Sequence, residues 1–255
     1  KDSKSIAIAY RTDASPFSFE DDKKQPAGYT VDLCKRVVAS IEQQIGVQGL
    51  QVKWVPVTSQ TRFDTIAKGQ ADMECGSSTV TLGRMKQVDF SSYTFVESTG
   101  LLARVAANAK SLSDLGGKKI GVVAGTTNEK ALAQALKERV VSATVVPLKT
   151  REEGLTKLEA GEIDAFASDK LLLLALGPKA KDPKSLVLLQ EDISFEPYAI
   201  TLPRGDPSLR LAVNTALAQI YRGDAIVEVF NKWFCVFGKP TPILQLMYIF
   251  GALSE

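Results

Sequence analysis

Short stretches of alternating apolar and polar residues recur along the chain, each followed by a stretch with apolar positions three and four apart. This is the pattern of strands alternating with helices. Ser5 to Tyr10 reads as a first strand, and from Thr30 to Ile45 the residues Cys34, Val37, Val38, Ile41 and Ile45 share one helical face that Gly46 closes. Leu50 to Pro56 reads as a second strand, Ser59 to Lys68 as a short helix stopped by Gly69, and Ala71 to Gly76 as a third strand. After the polar stretch Ala106 to Gly117 the series starts again. Lys119 to Ala124, Ala143 to Leu148 and Ile163 to Ala167 are its strands, with helices at Thr126 to Arg139 and Arg151 to Ala160. Such alternation predicts an α/β fold whose mostly parallel sheets are covered by helices.

The two series also repeat locally. IAKGQADM (Ile66 to Met73) and LEAGEIDA (Leu158 to Ala165) each hold a helix end, a glycine cap, a short polar turn and an aspartate that opens a strand. They are either two ordinary αβ units or the trace of a duplication that gives two similar lobes. The later strand, Tyr198 to Leu202, and the helices Pro207 to Tyr221 and Asp224 to Phe234 begin no third series, so they pack on an existing lobe. The expected division is residues 1–103 plus 200–255 for one lobe and 104–199 for the other. Chain crossings near Leu101 to Arg104 and Tyr198 to Pro203 would form a two-strand hinge.

Composition narrows the function. The 31 basic residues nearly cancel the 29 acidic ones, and a net charge of +2 without a Lys/Arg block offers nucleic acid or an anionic membrane little to hold. No apolar run reaches the roughly 18 to 20 residues that cross a bilayer. Leu171 to Leu176 reads as buried helix, and the tail ILQLMYIFGALSE as a segment packed on the first lobe. The opening KDSKSIAIAY carries no leader pattern, so the protein is either cytoplasmic or has lost a signal peptide. Three cysteines make no disulfide framework; if a single bridge forms, Cys34 with Cys235 is the expected pair. With no histidine in the chain, zinc chemistry and Ser-His-Asp catalysis are excluded, and no metal or cofactor is expected.

In open α/β sheets ligands bind beyond the carboxyl ends of the strands. The residues there are Arg11 after the first strand, then Thr58, Ser59 and Arg62, then Ser77, Ser78 and Thr79 with Arg84 close behind. The second series adds Gly125, Thr126 and Thr127, then Thr150 and Arg151, then Ser168 and Asp169. Arginine forks and hydroxyls bind carboxylates, and a lone aspartate asks for a cation. An amino-acid zwitterion supplies both, and the surplus arginines ask for a second carboxylate. Each residue also has a local use, since Thr126 or Thr127 can cap the next helix, Asp169 can cap the helix at Lys170, and Arg11 and Arg62 can be surface charges.

The segments PFSFEDD, GYTVDLCKRV, VTSQTR, ECGSSTVTLGRMKQVDFS, VVAGTTNEKAL, LEAGEIDAFASD and NKWF resemble the periplasmic amino-acid-binding proteins of ABC importers. VTSQTR and ECGSST are similar to the glutamate/aspartate-binding branch in particular. The resemblance runs from about Ser5 to Phe234 and implies a type II periplasmic-binding fold with a five-stranded sheet in each lobe. It implies no enzyme but a periplasmic monomer that captures L-glutamate or L-aspartate and serves an ABC permease. By the same resemblance Arg84, with Thr79 and Thr126 or Thr127, clamps the α-carboxylate. Asp169 with Ser77 holds the ammonium, and Arg11, Ser59 and Arg62 meet the side-chain carboxylate. Relatives often carry histidine where this chain has Arg151. That residue either turns partly to solvent or shifts the preference between the two ligands; if it points inward, four arginines are too much positive charge unless Glu74 or another acid balances them. Two other classes share the scaffold: a cyclohexadienyl dehydratase-like enzyme, which needs a positioned acid, and the sensing domain of a receptor or kinase.

Overall fold

The structure, a computed structural model, describes residues 4–254. The chain divides into two compact units, one of Lys1–Val96 with Pro197–Glu255 and one of Glu97–Glu196. It opens with β1 (Ser5–Arg11), a small antiparallel sheet of β2 (Asp13–Ala14), β3 (Ser18–Glu20) and β4 (Pro26–Ala27), and α1 (Tyr29–Ile45). β5 (Gln51–Val57), α2 (Arg62–Ala67), β6 (Met73–Glu74) and β7 (Asp89–Glu97) bring it to the first boundary. The second unit holds β8 (Thr99–Arg104), β9 (Lys119–Val123), α3 (Thr127–Glu138), β10 (Thr144–Leu148), α4 (Arg151–Glu159), β11 (Ala165–Asp169), α5 (Lys170–Leu176) and β12 (Leu186–Leu188). β13 (Glu196–Leu202), α6 (Pro207–Arg222), α7 (Ala225–Phe234) and α8 (Pro242–Gly251) follow.

Each unit has a five-stranded sheet, in the order β5-β1-β6-β13-β7 in the first and β10-β9-β11-β8-β12 in the second. In both, the first strand of the series lies between the second and the third and pairs with them in parallel. The glycines of the two repeated segments, Gly69 and Gly161, sit at φ 66° and 74°, a left-handed conformation that a side chain would strain. The aspartates that follow act identically. Asp72 donates its N–H to the Ala7 carbonyl and accepts the Ala7 N–H on Oδ2, and Asp164 makes the same pair of bonds with Lys119. Each aspartate thereby clips the approach of the third strand to the first.

The division falls earlier in the chain than the sequence led us to expect. Thr99–Arg104, expected to close the first lobe, pairs antiparallel with β11 and β12 and so belongs to the second sheet.

Apolar faces close each core. Ala9, Val57, Ile66, Ala71, Val88, Phe90 and Ala199 pack together in the first unit. In the second, Leu101, Leu112, Ile120, Val122 and Leu132 are among the residues that fill one face of the sheet, and Leu102, Leu148, Leu158, Phe166 and Leu173 belong to a second cluster. Phe17, Tyr29, Phe95 and Phe234 form an aromatic knot with ring centroids 4.9 to 6.1 Å apart, and through it α7 is held to the amino-terminal segment. The tail packs on the first unit as expected: Leu244, Met247 and Tyr248 are buried, and the Tyr248 and Tyr29 hydroxyls lie 2.8 Å apart.

The expected pairing of Cys34 with Cys235 is overturned. Cys34, on the buried face of α1, is bonded to Cys75, while Cys235 is free and exposed. The Cα atoms of Cys34 and Cys75 are 6.4 Å apart, within disulfide reach. Across a sequence separation of 41 residues, the cross-link restricts the unfolded chain by about 4 kcal/mol. It also fixes the start of the segment Gly76 to Thr79, which carries candidate ligand groups.

Candidate functional site

The sheet registers bring the candidate residues of the first unit to one edge. Arg11, the last residue of β1, pairs with Val57, the last of β5, and Ala9 pairs with Glu74 at the end of β6. Ser59 and Arg62 therefore follow one neighbour of β1, and Ser77, Thr79 and Arg84 follow the other. Arg11 is only 1% exposed; its Nη2 stands 2.6 Å from Asp13 Oδ1, and its backbone N–H donates to Ser18 Oγ at 3.0 Å. The surface reading of Arg11 and Arg62 fails on burial, since Arg62 is 3% exposed.

Arg62 Nη1 donates to the Ser77 carbonyl at 3.2 Å, and Arg84 Nη1 to the Thr79 carbonyl at 2.7 Å. Both guanidinium carbons lie 4.8 Å from the centroid of the Phe63 ring. One aromatic residue thus carries two cations, a favourable arrangement between a ring face and a guanidinium. Ser59 Oγ donates to Gln60 Oε1 at 3.0 Å, and the buried Ser77 Oγ has no hydrogen-bond partner among the described residues. A countercharge sits behind this edge in Glu74, which is fully buried and accepts the Ser78 and Thr201 hydroxyls on Oε2 at 2.7 and 2.9 Å. Gly76 permits the crowding: a Cβ there would come within 2.1 Å of Glu74 Oε1 and 3.1 Å of Arg11 Cγ.

In the second unit the carboxyl ends of β9, β10 and β11 gather a different chemistry. Thr126 caps α3, with its hydroxyl accepting the Glu129 N–H and donating to the Val123 carbonyl at 2.7 Å. Of the two threonines it is therefore Thr126 that serves the helix, and Thr127 that lies half-buried in its first turn. Asp169 precedes α5 without capping it through its side chain. It is 4% exposed, and its Oδ1 accepts the Asn128 amide at 3.2 Å.

The expectation that Arg151 turns partly to solvent is overturned as well. Arg151 is 3% exposed; Nε donates to Ser168 Oγ at 3.3 Å and Nη2 stands 3.9 Å from Asp169 Oδ2. Placed as the first residue of α4 and drawn by that carboxylate, the side chain stays inside.

Several members of this cluster carried no sequence signal. Asn128 Nδ2 also donates to Thr99 Oγ1 at 2.8 Å, and the Ser194 and Thr99 hydroxyl oxygens lie 2.7 Å apart. Ser194 in turn lies 2.6 Å from Glu196 Oε1. Glu97 is buried nearby. Burial first, and then the charge of Asp169, push its carboxyl up to about 8, against hydrogen bonds from the backbone of Ser98 and Leu171 and the charge of Lys170. Phe63, inside the VTSQTRF stretch, could have been found as an aromatic next to an arginine. Thr99, Asn128 and Glu97 come together only through the β8–β11 register, which pairs Thr99 with Asp169.

Taken unit by unit, the first presents buried guanidiniums and hydroxyls suited to carboxylates, and the second a buried carboxylate suited to a cation. No cluster of His, Cys, Asp or Glu among the described residues could hold a metal ion, and no described helix is long and apolar enough to cross a membrane.

Known proteins are similar to this chain over most of its length. The L-glutamate/L-aspartate-binding protein of Pseudomonas aeruginosa is 34% identical over 235 residues, covering 92% of this chain and 78% of that one. The glutamate/aspartate import solute-binding protein of Salmonella typhimurium is 32% identical over 229 residues, covering 90% and 76%. The structure of an ancestral arginine-binding protein bound to arginine superposes with a TM-score of 0.79 at 27% identity, over 91% of this chain and 98% of that one. The fold is thus that of the periplasmic binding proteins. The profile of the bacterial extracellular solute-binding proteins, family 3, matches residues 6–236, and the chain belongs to that family.

Proposed function

We propose that this protein captures L-glutamate or L-aspartate in the periplasm and delivers it, as a monomer, to an ABC permease. The reading rests above all on the burial of Arg11 and Arg62 at one sheet edge of the first unit. Guanidinium groups held out of water favour a ligand that brings negative charge with it. The names of the two bacterial relatives point the same way.

In this reading Arg84, with Thr79 and the first turn of α3 at Thr126 and Thr127, takes the α-carboxylate. Asp169 takes the ammonium, with Ser77 alongside and Asn128 holding the carboxylate in place. Arg11, Ser59 and Arg62 take the side-chain carboxylate. Arg151, whose charge Asp169 partly offsets at 3.9 Å, borders the ammonium half-site without taking the ammonium. The chain crosses between its two units at Val96/Glu97 and Glu196/Pro197. No bond is made or broken in this reading.

Calorimetric titration of ligand-stripped protein with each of the twenty amino acids tests the assignment. Glutamate or aspartate should bind at least ~100-fold more tightly than glutamine or asparagine, because a neutral amide forgoes the charge-assisted hydrogen bonds that a carboxylate makes to a guanidinium. Glutamine or a basic amino acid binding best would end the reading.

A further inference from the structure

We propose that Glu97 is a second acid of the ammonium half-site and gives up a proton to solvent when a ligand ammonium is seated beside Asp169. The inference rests on the role proposed above for Asp169. Glu97 is the first residue of the second unit and is nine-tenths buried. The pairing of Thr99 with Asp169, together with the 3.1 Å bond from the Lys170 N–H to the Ser98 carbonyl, lays the peptide after Glu97 against the residues around Asp169. One oxygen, Oε1, accepts the Ser98 N–H at 3.0 Å. The other, Oε2, is buried and makes no full hydrogen bond among the described residues, although the Leu171 N–H also acts on the carboxyl. An ionised oxygen in that position is costly, and a protonated carboxyl much less so.

The charged groups on the surrounding elements relieve it only in part, through the charge of Lys170. Arg151 stands beside Asp169 at 3.9 Å, Lys170 is paired with Asp192 at 2.5 Å, and Asp192 also accepts the Ser98 hydroxyl at 2.6 Å. Across Thr99, Glu196 accepts the hydroxyls of Ser194 and Thr99 at 2.6 and 3.3 Å. With its carboxyl raised to about 8, Glu97 holds ~0.9 proton at pH 7. An arriving ammonium supplies the missing cation, and an opposite charge within about 4 to 6 Å lowers a carboxyl by roughly 1 to 3 units. Binding therefore selects the ionised form. Affinity rises with pH through about 8, as the free protein loses the proton, and levels off only once that loss is complete.

The test is calorimetry of L-glutamate binding to ligand-stripped protein at pH 7, in buffers of low and high ionisation enthalpy. The wild type should release ~0.4 to 0.9 proton per ligand, and Glu97→Gln should bind and release none. Carbon-detected NMR of the wild-type glutamate carboxyls, with and without ligand, reads the same event without a variant: Glu97 should titrate near 8 when free and at lower pH when bound. A wild type that releases no proton, a Gln variant that releases as many, or a Glu97 titration that ligand leaves in place would each overturn the proposal. Absence of any heat with L-glutamate contradicts the proposed function itself, whereas heat without proton release contradicts the role of Glu97 alone.

Discussion

Replacing Arg84 with alanine is expected to abolish binding of every amino acid, acidic or neutral, while leaving the fold intact. The α-carboxylate is common to all of them, so the residue that clamps it cannot discriminate. Arg84 is only partly buried, donates to the Thr79 carbonyl and lies over the Phe63 ring. Removing one member of a desolvated charge pair costs about 3 to 5 kcal/mol, which is roughly 150- to 5,000-fold in affinity. Calorimetry on the variant, with thermal unfolding as a control, checks both halves. Glutamate binding kept within tenfold of the wild type would remove Arg84 from the site.

Arg62→Ala should divide the ligands that Arg84→Ala treats alike. Arg62 is assigned to the side-chain carboxylate, so glutamate and aspartate should lose about 100-fold or more, and glutamine only a few-fold. Arg62 also donates to the Ser77 carbonyl and lies on Phe63, so its removal leaves a hole as well as a missing charge. Arg62→Met, which keeps most of the bulk, separates the two effects and should reproduce the split between acidic and neutral ligands. Equal losses for glutamate and glutamine in both variants would refute the division of labour between the two arginines.

How much of this could be read from the sequence depends on whether a feature is local. The repeated Gly-x-x-Asp segments were visible, because a helix end, its glycine and the following aspartate are written within a few residues of one another. Their structural meaning, two aspartates clipping Ala7 and Lys119, follows from the fold the pattern predicts. The convergence of Arg11, Ser59, Arg62 and Ser77 on one edge was likewise legible, since strand order and the ends of strands place them there. What could not be read depended on contacts between distant segments. Cys34 finds Cys75 because the inner face of α1 brings it there, which no spacing records. The inward turn of Arg151 is set by Ser168 and Asp169, which reach it from another element. The Asn128, Thr99 and Glu97 cluster depends on the register of an antiparallel strand that the sequence reading had assigned to the other lobe. A shift of one residue in that register would turn Thr99 to the opposite face.

The account stands or falls on how charge is matched between ligand and protein, and the structure of the protein crystallised with L-glutamate tests this most directly. The side-chain carboxylate should lie at about 2.7 to 2.9 Å from Arg11 or Arg62, the α-carboxylate at Arg84, and the ammonium at the same distance from Asp169. A bound glutamate whose amine makes no contact with Asp169, or whose two carboxylates leave Arg62 and Arg84 untouched, would contradict it.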